Sequence, residues 1–297
     1  MRIVLFGTGA MACLFGARLA RVAEVILVGS WAEGIAAIRD RGILLEDGPS
    51  TETIPVSAQS FDDPEVKADL VLVLVKAWQT ERIASKLAGY LTPHGLAVSL
   101  QNGIGNVELL GTRAFPGSTA MGATLLGPGH VRAGGSGPTY VMAPDWTVKL
   151  LQDAGFECHC CSREEAEGIL WGKLCVSCGI NALTALLNVS NGELLERREA
   201  GELMIRAAEE CAAVARAKGI RIPFAEPAVH VETVVRRTSG NRSSMLQDVL
   251  RGFPTECEAI YGSVVRESEL LGLEVPVNSL FWKLMRAKRG KSGSEIQ

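Results

Sequence analysis

The sequence predicts an α/β fold class: a doubly wound N-terminal domain built on a parallel sheet, followed by an all-α C-terminal domain. Three observations carry this reading. Strand-like and helix-like runs alternate through the first half, a glycine turn joins the first strand directly to the first helix, and strand signals almost vanish after Ser162. Alternation of that kind is the pattern of a parallel sheet with a helix after each strand.

RIVLFG, residues 2 to 7, is a short β-rich run, followed by a glycine turn and a helical stretch to about Arg21. EVILVG (24 to 29) is a second strand, and AEGIAAIRDRG reads as a helix ending at Gly42. TIPVSA (53 to 58), DLVLVLVK (69 to 76) and LAVSLQNG (96 to 103) supply further strands, with the helix WQTERIASKLAGYL between the last two. Those two are continuous apolar runs, as expected of strands buried on both faces. From 118 to 143, Gly122, Gly127, Gly129, Gly134, Gly135 and Gly137 punctuate short pieces such as HVRAG and TYVMA, which predicts a β-hairpin or an antiparallel edge on the sheet. VKLLQDAG and FECHCC complete the domain as a helix and a strand. Helical segments follow at 164 to 187, 199 to 218, 227 to 237, 255 to 272 and 277 to 288, so the domains are placed at 1–165 and 166–297.

With 297 residues the chain is long enough for two domains with substantial cores. A hydrophobic content of 47% and a charged content of 21% exclude wholesale disorder. The net charge of −3 leaves no general basic surface for nucleic acid. The one basic cluster, KLMRAKRGK at 283 to 291, suits a solvated C-terminal helix end. Glycines and small residues interrupt the apolar N-terminus, so neither a signal peptide nor a membrane segment is expected, and a cytoplasmic location is the default. Eight cysteines then read as reduced thiols. The CxxC of Cys175 and Cys178 lacks a second pair, and Cys158, His159, Cys160 and Cys161 alternate faces in a strand, so core cysteines and no metal are expected.

GTGAMA, residues 7 to 12, follows the first strand and opens a helix, the context that a dinucleotide-binding fingerprint requires, with Ala12 in place of the third glycine. Gly7 permits the tight turn, Gly9 lets the backbone approach a pyrophosphate, and the helix N-terminus receives its charge. Gly7, Thr8, Gly9, Ala10, Met11 and Ala12 are therefore assigned to the cofactor. After the second strand, where an NAD enzyme commonly places a carboxylate, stand Gly29, Ser30 and Trp31. The missing carboxylate removes an obstacle to a 2′-phosphate and Ser30 can donate to one, which favours NADP over NAD. Lys76 and Asn102 end neighbouring apolar strands, at the sheet edge where ligands of open α/β sheets bind.

LWGKLCVSCGINALTALLN, residues 170 to 188, is an apolar helix interrupted at four-residue steps by Lys173, Ser177 and Asn181. A step of four advances a side chain by only about 40°, so the three share one stripe. A solvated face would carry more charge. A lysine in such sparse polar company suggests desolvation, which lowers its pKa and suits it to proton transfer. A buried structural stripe is the alternative reading.

GTGAMA, Lys76, QNG, the WGK…N helix, and SSMLQD followed by Thr255 and Glu256 occur in one order, and that constellation resembles the ketopantoate reductase (2-dehydropantoate 2-reductase) family. The resemblance implies an N-terminal Rossmann-type domain, a helical C-terminal domain, an active site in the cleft between them, and NADPH-dependent reduction of 2-dehydropantoate in pantothenate and coenzyme A biosynthesis. It implies that Lys173 is the catalytic proton donor. Asn181 and Asn191 would bind substrate, and Asn102 would touch both substrate and cofactor. Lys76 would lie near the nicotinamide, Ser244 on the substrate carboxylate with Asn241 and Ser243 close by, and Glu256 on the cofactor. Ser243 or Ser244 also reads as a helix N-cap, and Glu256 as a helix-start carboxylate.

Three departures bear on specificity. Ser177 stands where the family typically has asparagine among its substrate contacts, Ser30 where many members have a phosphate-binding arginine, and Tyr261 where an asparagine is usual before the glycine. Two alternatives stand beside 2-dehydropantoate: reduction of another branched 2-keto acid, which Ser177 would favour, or a noncatalytic dinucleotide-binding sensor, which the loss of Lys173 would have supported. The expected partner is a small 2-keto acid, without nucleic acid or membrane, and the helical domain allows a homodimer without demanding one.

Overall fold

The computed structural model describes residues 1–288, so the last residues of the basic run, 289 to 291, lie outside the described residues. The chain divides into two compact units: Met1–Gln101 with Asn106–Ala166, and Asn102–Gly105 with the chain from Glu167 onward.

The first unit begins β1 (Arg2–Phe6), α1 (Ala10–Leu19), β2 (Glu24–Gly29), α2 (Ala32–Arg41), β3 (Ile43–Asp47), β4 (Ser50–Ile54), β5 (Ser57–Ser60) and β6 (Ala68–Val73). It continues with α3 (Thr80–Tyr90), β7 (Leu91–Ser99), α4 (Asn106–Leu110), β8 (Ala114–Thr119), β9 (Ala123–Gly127), β10 (His130–Ala133), β11 (Thr139–Val141), α5 (Asp145–Asp153) and β12 (Cys158–Cys160). The main sheet runs β12-β11-β8-β7-β6-β1-β2-β5. Its six strands from β8 to β5 are mutually parallel, and β11 joins antiparallel to β8. Read from β5, the order reverses between β1 and β6, the switch point of a Rossmann-type sheet. Alternation along β1 buries both faces: Ile3 and Leu5 join one apolar cluster with Phe15, and Val4 and Phe6 join another with Ile83 and Leu87.

A second sheet, β4-β3-β10-β9, is absent from the sequence reading and corrects it twice. The single strand expected at 53 to 58 is two, because Pro55 has no N–H to give a ladder: Ile54 ends β4 against Ile43, while Ser57 starts β5 against β2. The Asp47–Gly48 turn, with Gly48 at φ +59, makes β3 and β4 a hairpin. The glycine-rich stretch does not simply extend the main sheet. Its β9–β10 hairpin pairs with β3 instead, and only β8 and β11 join the main sheet. α1 packs against β3, β9 and β10, as well as β1 and β2, which explains why seven of its ten residues are buried.

The helical unit comprises α6 (Arg163–Leu187), α7 (Glu193–Glu196), α8 (Arg198–Ala217), α9 (Pro227–Arg237), α10 (Ser244–Leu250), a π turn (Glu258–Gly262), α11 (Ser263–Leu270) and α12 (Pro276–Ala287). α6 is long and apolar enough to cross a membrane, yet most of its apolar window is buried inside the fold. Trp171, Leu174, Cys175 and Cys178 pack in one core with Met204, Ala207 and Cys211 of α8 and Phe281 of α12.

Candidate functional site

In the first unit the glycine turn is built for close approach. Gly7 has φ +133, and its N–H donates to the Val28 carbonyl at 2.7 Å. A side chain there would be strained and would meet the Leu74 backbone at 3.2 Å. At Gly9, a Cβ would meet nothing within 4 Å. α1 has no side-chain cap at Gly9 and no acidic residue in its first turn, so its leading N–H groups and dipole suit an anion. Thr8 is buried, and a Cβ on Gly29 would stand 2.8 Å from its side chain, so Gly29 is also a packing requirement. Ser30 is exposed, and the Trp31 ring folds back over Gly34. These residues fit a dinucleotide pyrophosphate.

Lys76 lies three residues beyond β6, partly buried, at the head of the short helical turn Ala77–Gln79. The loop after β7 is held by a buried network that sequence reasoning missed. Gln101 Nε2 donates to the Val75 carbonyl at 3.0 Å and to Thr80 Oγ1 at 2.8 Å, while Thr80 donates to Asn106 Oδ1 at 2.9 Å. Gln101 was visible in the QNG motif, but its partner Thr80 is 21 residues away and only the fold joins them.

In the helical unit, Lys173, Val176 and Ser177 of α6 are partly buried and every other residue from Trp171 to Ala185 is buried, Asn181 at 8% exposed. Burial holds the Lys173 ammonium below the ordinary lysine range, and the Glu256 carboxylate acts in the opposite direction. Glu256 is itself 5% exposed and accepts from Asn102 Nδ2 at 3.0 Å. That hydrogen bond joins residues 154 apart in the chain, and the charge of the same Glu256 bears on Lys173. The Asn102 loop is seated by Gly103, whose φ is +82 and where a Cβ would lie 2.4 Å from the Ala259 carbonyl oxygen.

Residues 3–146 match the family described as Ketopantoate reductase PanE/ApbA, and residues 165–289 match its C-terminal domain. The chain belongs to the ketopantoate reductase family. The 2-dehydropantoate 2-reductase of Archaeoglobus fulgidus is 32% identical over 296 residues, which cover 96% of this chain and 97% of the relative. That of Pyrococcus horikoshii is 31% identical, covering 99% of both chains. A PanE/ApbA family ketopantoate reductase from Ralstonia eutropha superposes with a TM-score of 0.90 at 31% identity, covering 97% of this chain and 98% of that one. D-mandelate dehydrogenase, in its ternary structure with NADH and anilino(oxo)acetate, also has a TM-score of 0.90, at 25% identity over 97% of this chain and 98% of that one.

Ser243 Oγ caps α10, accepting from Leu246 N at 3.1 Å, and it meets the Thr184 hydroxyl at 2.7 Å. Ser244, the first residue of α10, is exposed, as is Asn241. The Asn241 carbonyl accepts from Asn191 N at 2.9 Å. Asn191 is buried; its Nδ2 donates to Thr238 Oγ1 at 3.0 Å, and its Oδ1 has no partner. Thr184 was missed, although it continues the polar stripe one helical turn past Asn181. Among the described residues, no three His, Cys, Asp or Glu side chains converge as a metal site. All the cysteines are free thiols, and Cys160 alone is exposed among them.

Proposed function

We propose that the chain reduces 2-dehydropantoate to (R)-pantoate with NADPH, with Lys173 as proton donor, as a cytoplasmic step towards pantothenate and coenzyme A. The observation that carries the reading is Lys173, a partly buried lysine on an otherwise apolar helix, where burial lowers its pKa and the Glu256 charge acts against that shift. A bound nicotinamide would supply the hydride that arrives at C2 of the keto acid. Negative charge then grows on the ketone oxygen, and the Lys173 ammonium both stabilises it and delivers the proton. Burial makes that proton easier to release, while Glu256 keeps the lysine charged beforehand.

Asn102 bonds Glu256 through its amide, and Ser177 and Asn181 present a hydroxyl and an amide further along the stripe. The free hydroxyl of Ser244 suits the substrate carboxylate better than that of Ser243, which already serves Leu246 and Thr184. Asn191 Oδ1, lacking a partner, is an acceptor for a substrate hydroxyl. Gly7 to Ala12 would cradle the pyrophosphate, Ser30 the 2′-phosphate, and Lys76 and Glu256 the rest of the cofactor.

A second reading has specific support. Ser177 shortens the reach of the stripe, Ser30 and Trp31 rather than an arginine come directly after Gly29, and the similar D-mandelate dehydrogenase was captured with NADH and anilino(oxo)acetate. These favour an NADH-dependent reductase of a different 2-keto acid. The deciding experiment follows NADPH and NADH oxidation by the purified protein with 2-dehydropantoate and with aryl and branched 2-keto acids. Fast turnover of 2-dehydropantoate with NADPH supports the first reading. Preference for another keto acid with NADH establishes the second, and cofactor binding without turnover of any keto acid would refute both.

A further inference from the structure

Tyr261 is fully buried in the π turn, its ring edge-on to Phe281 at 5.9 Å. Its hydroxyl lies against the middle of α6. Ala182 N–H, which in a regular α-helix serves only the Cys178 carbonyl, donates to the phenol oxygen at 2.7 Å. That hydroxyl stands 3.1 Å from the Cys178 carbonyl and 3.2 Å from the Ser177 carbonyl, to either of which it can donate. A side chain entering the backbone ladder of a helix sets its local pitch and bend. Burial drives the phenol well above its ordinary pKa, so it stays neutral and can accept and donate at once.

The position of this clasp gives it a consequence. It grips the backbone of α6 from Ser177 to Ala182, a stretch that includes Asn181, while Lys173 lies one turn earlier on the same helix. The segment that supplies Tyr261 also supplies Glu256, five residues before it, whose charge acts on Lys173. At the far side of Asn181, Thr184 makes contact with Ser243 at 2.7 Å. One short stretch, 256 to 261, therefore bears on both the acid end and the binding end of the stripe. π turns accommodate an extra residue per turn and recur at functional sites.

We infer that Tyr261 is a positioning and specificity-determining residue: its hydroxyl sets the spacing of Ser177 and Asn181 from Lys173, and thereby which 2-keto acids are held against the proton donor. This rests on the reductase reading above. A buried phenol with no contact to the reacting atoms should act on substrate fit rather than on the chemical step.

Tyr261→Phe keeps the ring and removes only the hydroxyl. The expected result is a KM for the best 2-keto acid raised roughly three- to tenfold, as for one misaligned hydrogen bond. The kcat should change by less than about threefold, and the KM for the nucleotide should not change. Amide exchange in the peptide around Ala182 should accelerate roughly fivefold, because local opening loses one buried hydrogen bond. An unchanged keto-acid KM in the variant overturns the inference, whatever happens to thermal stability. Wild-type protein that turns over no 2-keto acid refutes the reductase reading instead. Unchanged exchange at Ala182 would then overturn the clasp as well.

Discussion

Replacing Gly103 by alanine separates two reasons for a glycine in the Asn102 loop, and Gly105 supplies the control. Both have positive φ, +82 and +87. At Gly105 a Cβ would meet nothing within 4 Å, whereas at Gly103 it would stand 2.4 Å from the Ala259 oxygen and 2.7 Å from the Ala259 Cβ. The left-handed backbone costs an L residue about 1–2 kcal/mol, offset by about 0.4–1 kcal/mol from a less flexible unfolded chain. Gly105→Ala should therefore be nearly neutral to mildly destabilising. Gly103→Ala adds an overpacking cost of about 1–3 kcal/mol against rigid backbone. Two outlets exist for that cost: thermal unfolding at a lower temperature, or a loop that shifts and surrenders the 3.0 Å bond from Asn102 to Glu256. The assay is circular dichroism melting together with kcat/KM for both variants. Gly103→Ala should lose several degrees in Tm, or at least about tenfold in kcat/KM, relative to Gly105→Ala. Equal behaviour of the two variants would show that close packing on Ala259 does not seat the Asn102 loop.

Lys173→Ala should lower kcat by about 10²- to 10⁴-fold, as for loss of a general acid, and retained turnover would remove Lys173 from that role. Because a proton donor must be protonated, wild-type kcat should fall as pH rises through a lysine pKa depressed by burial, and Glu256→Gln should move that limb to lower pH by removing the charge that opposes the depression. A limb that moves to higher pH would contradict the assigned sign. Ser243→Ala should cost about 1 kcal/mol of stability through its lost cap on α10, measured by denaturant unfolding, whereas Ser244→Ala should leave stability alone and raise the keto-acid KM. Ser30→Arg should raise the NADPH-to-NADH preference in kcat/KM by about tenfold or more, from one new charged contact to the 2′-phosphate, and an unchanged ratio would place the phosphate elsewhere.

Local period and spacing govern the features legible in the chain alone. The apolar runs at β1, β2, β6 and β7, the glycine turn before α1 and the polar stripe of Lys173, Ser177 and Asn181 on α6 are each legible because neighbours in the chain decide them. Boundaries set by partners were not. β3 and β4 form a separate sheet because β10 and α1 offer them a surface, and nothing within 43 to 54 announces that surface. Lys173 could be singled out from its apolar setting, but its coupling to Glu256, and the bond of Glu256 to Asn102, join residues far apart in the chain. Tyr261 is the sharpest case. As a letter it is only an odd residue before a glycine; in the fold its hydroxyl reaches the Ala182 amide at 2.7 Å, because packing brings the π turn against α6. Short-range steric and hydrophobic preferences are written into the sequence one segment at a time, whereas hydrogen bonds between segments exist only once the core has brought those segments together.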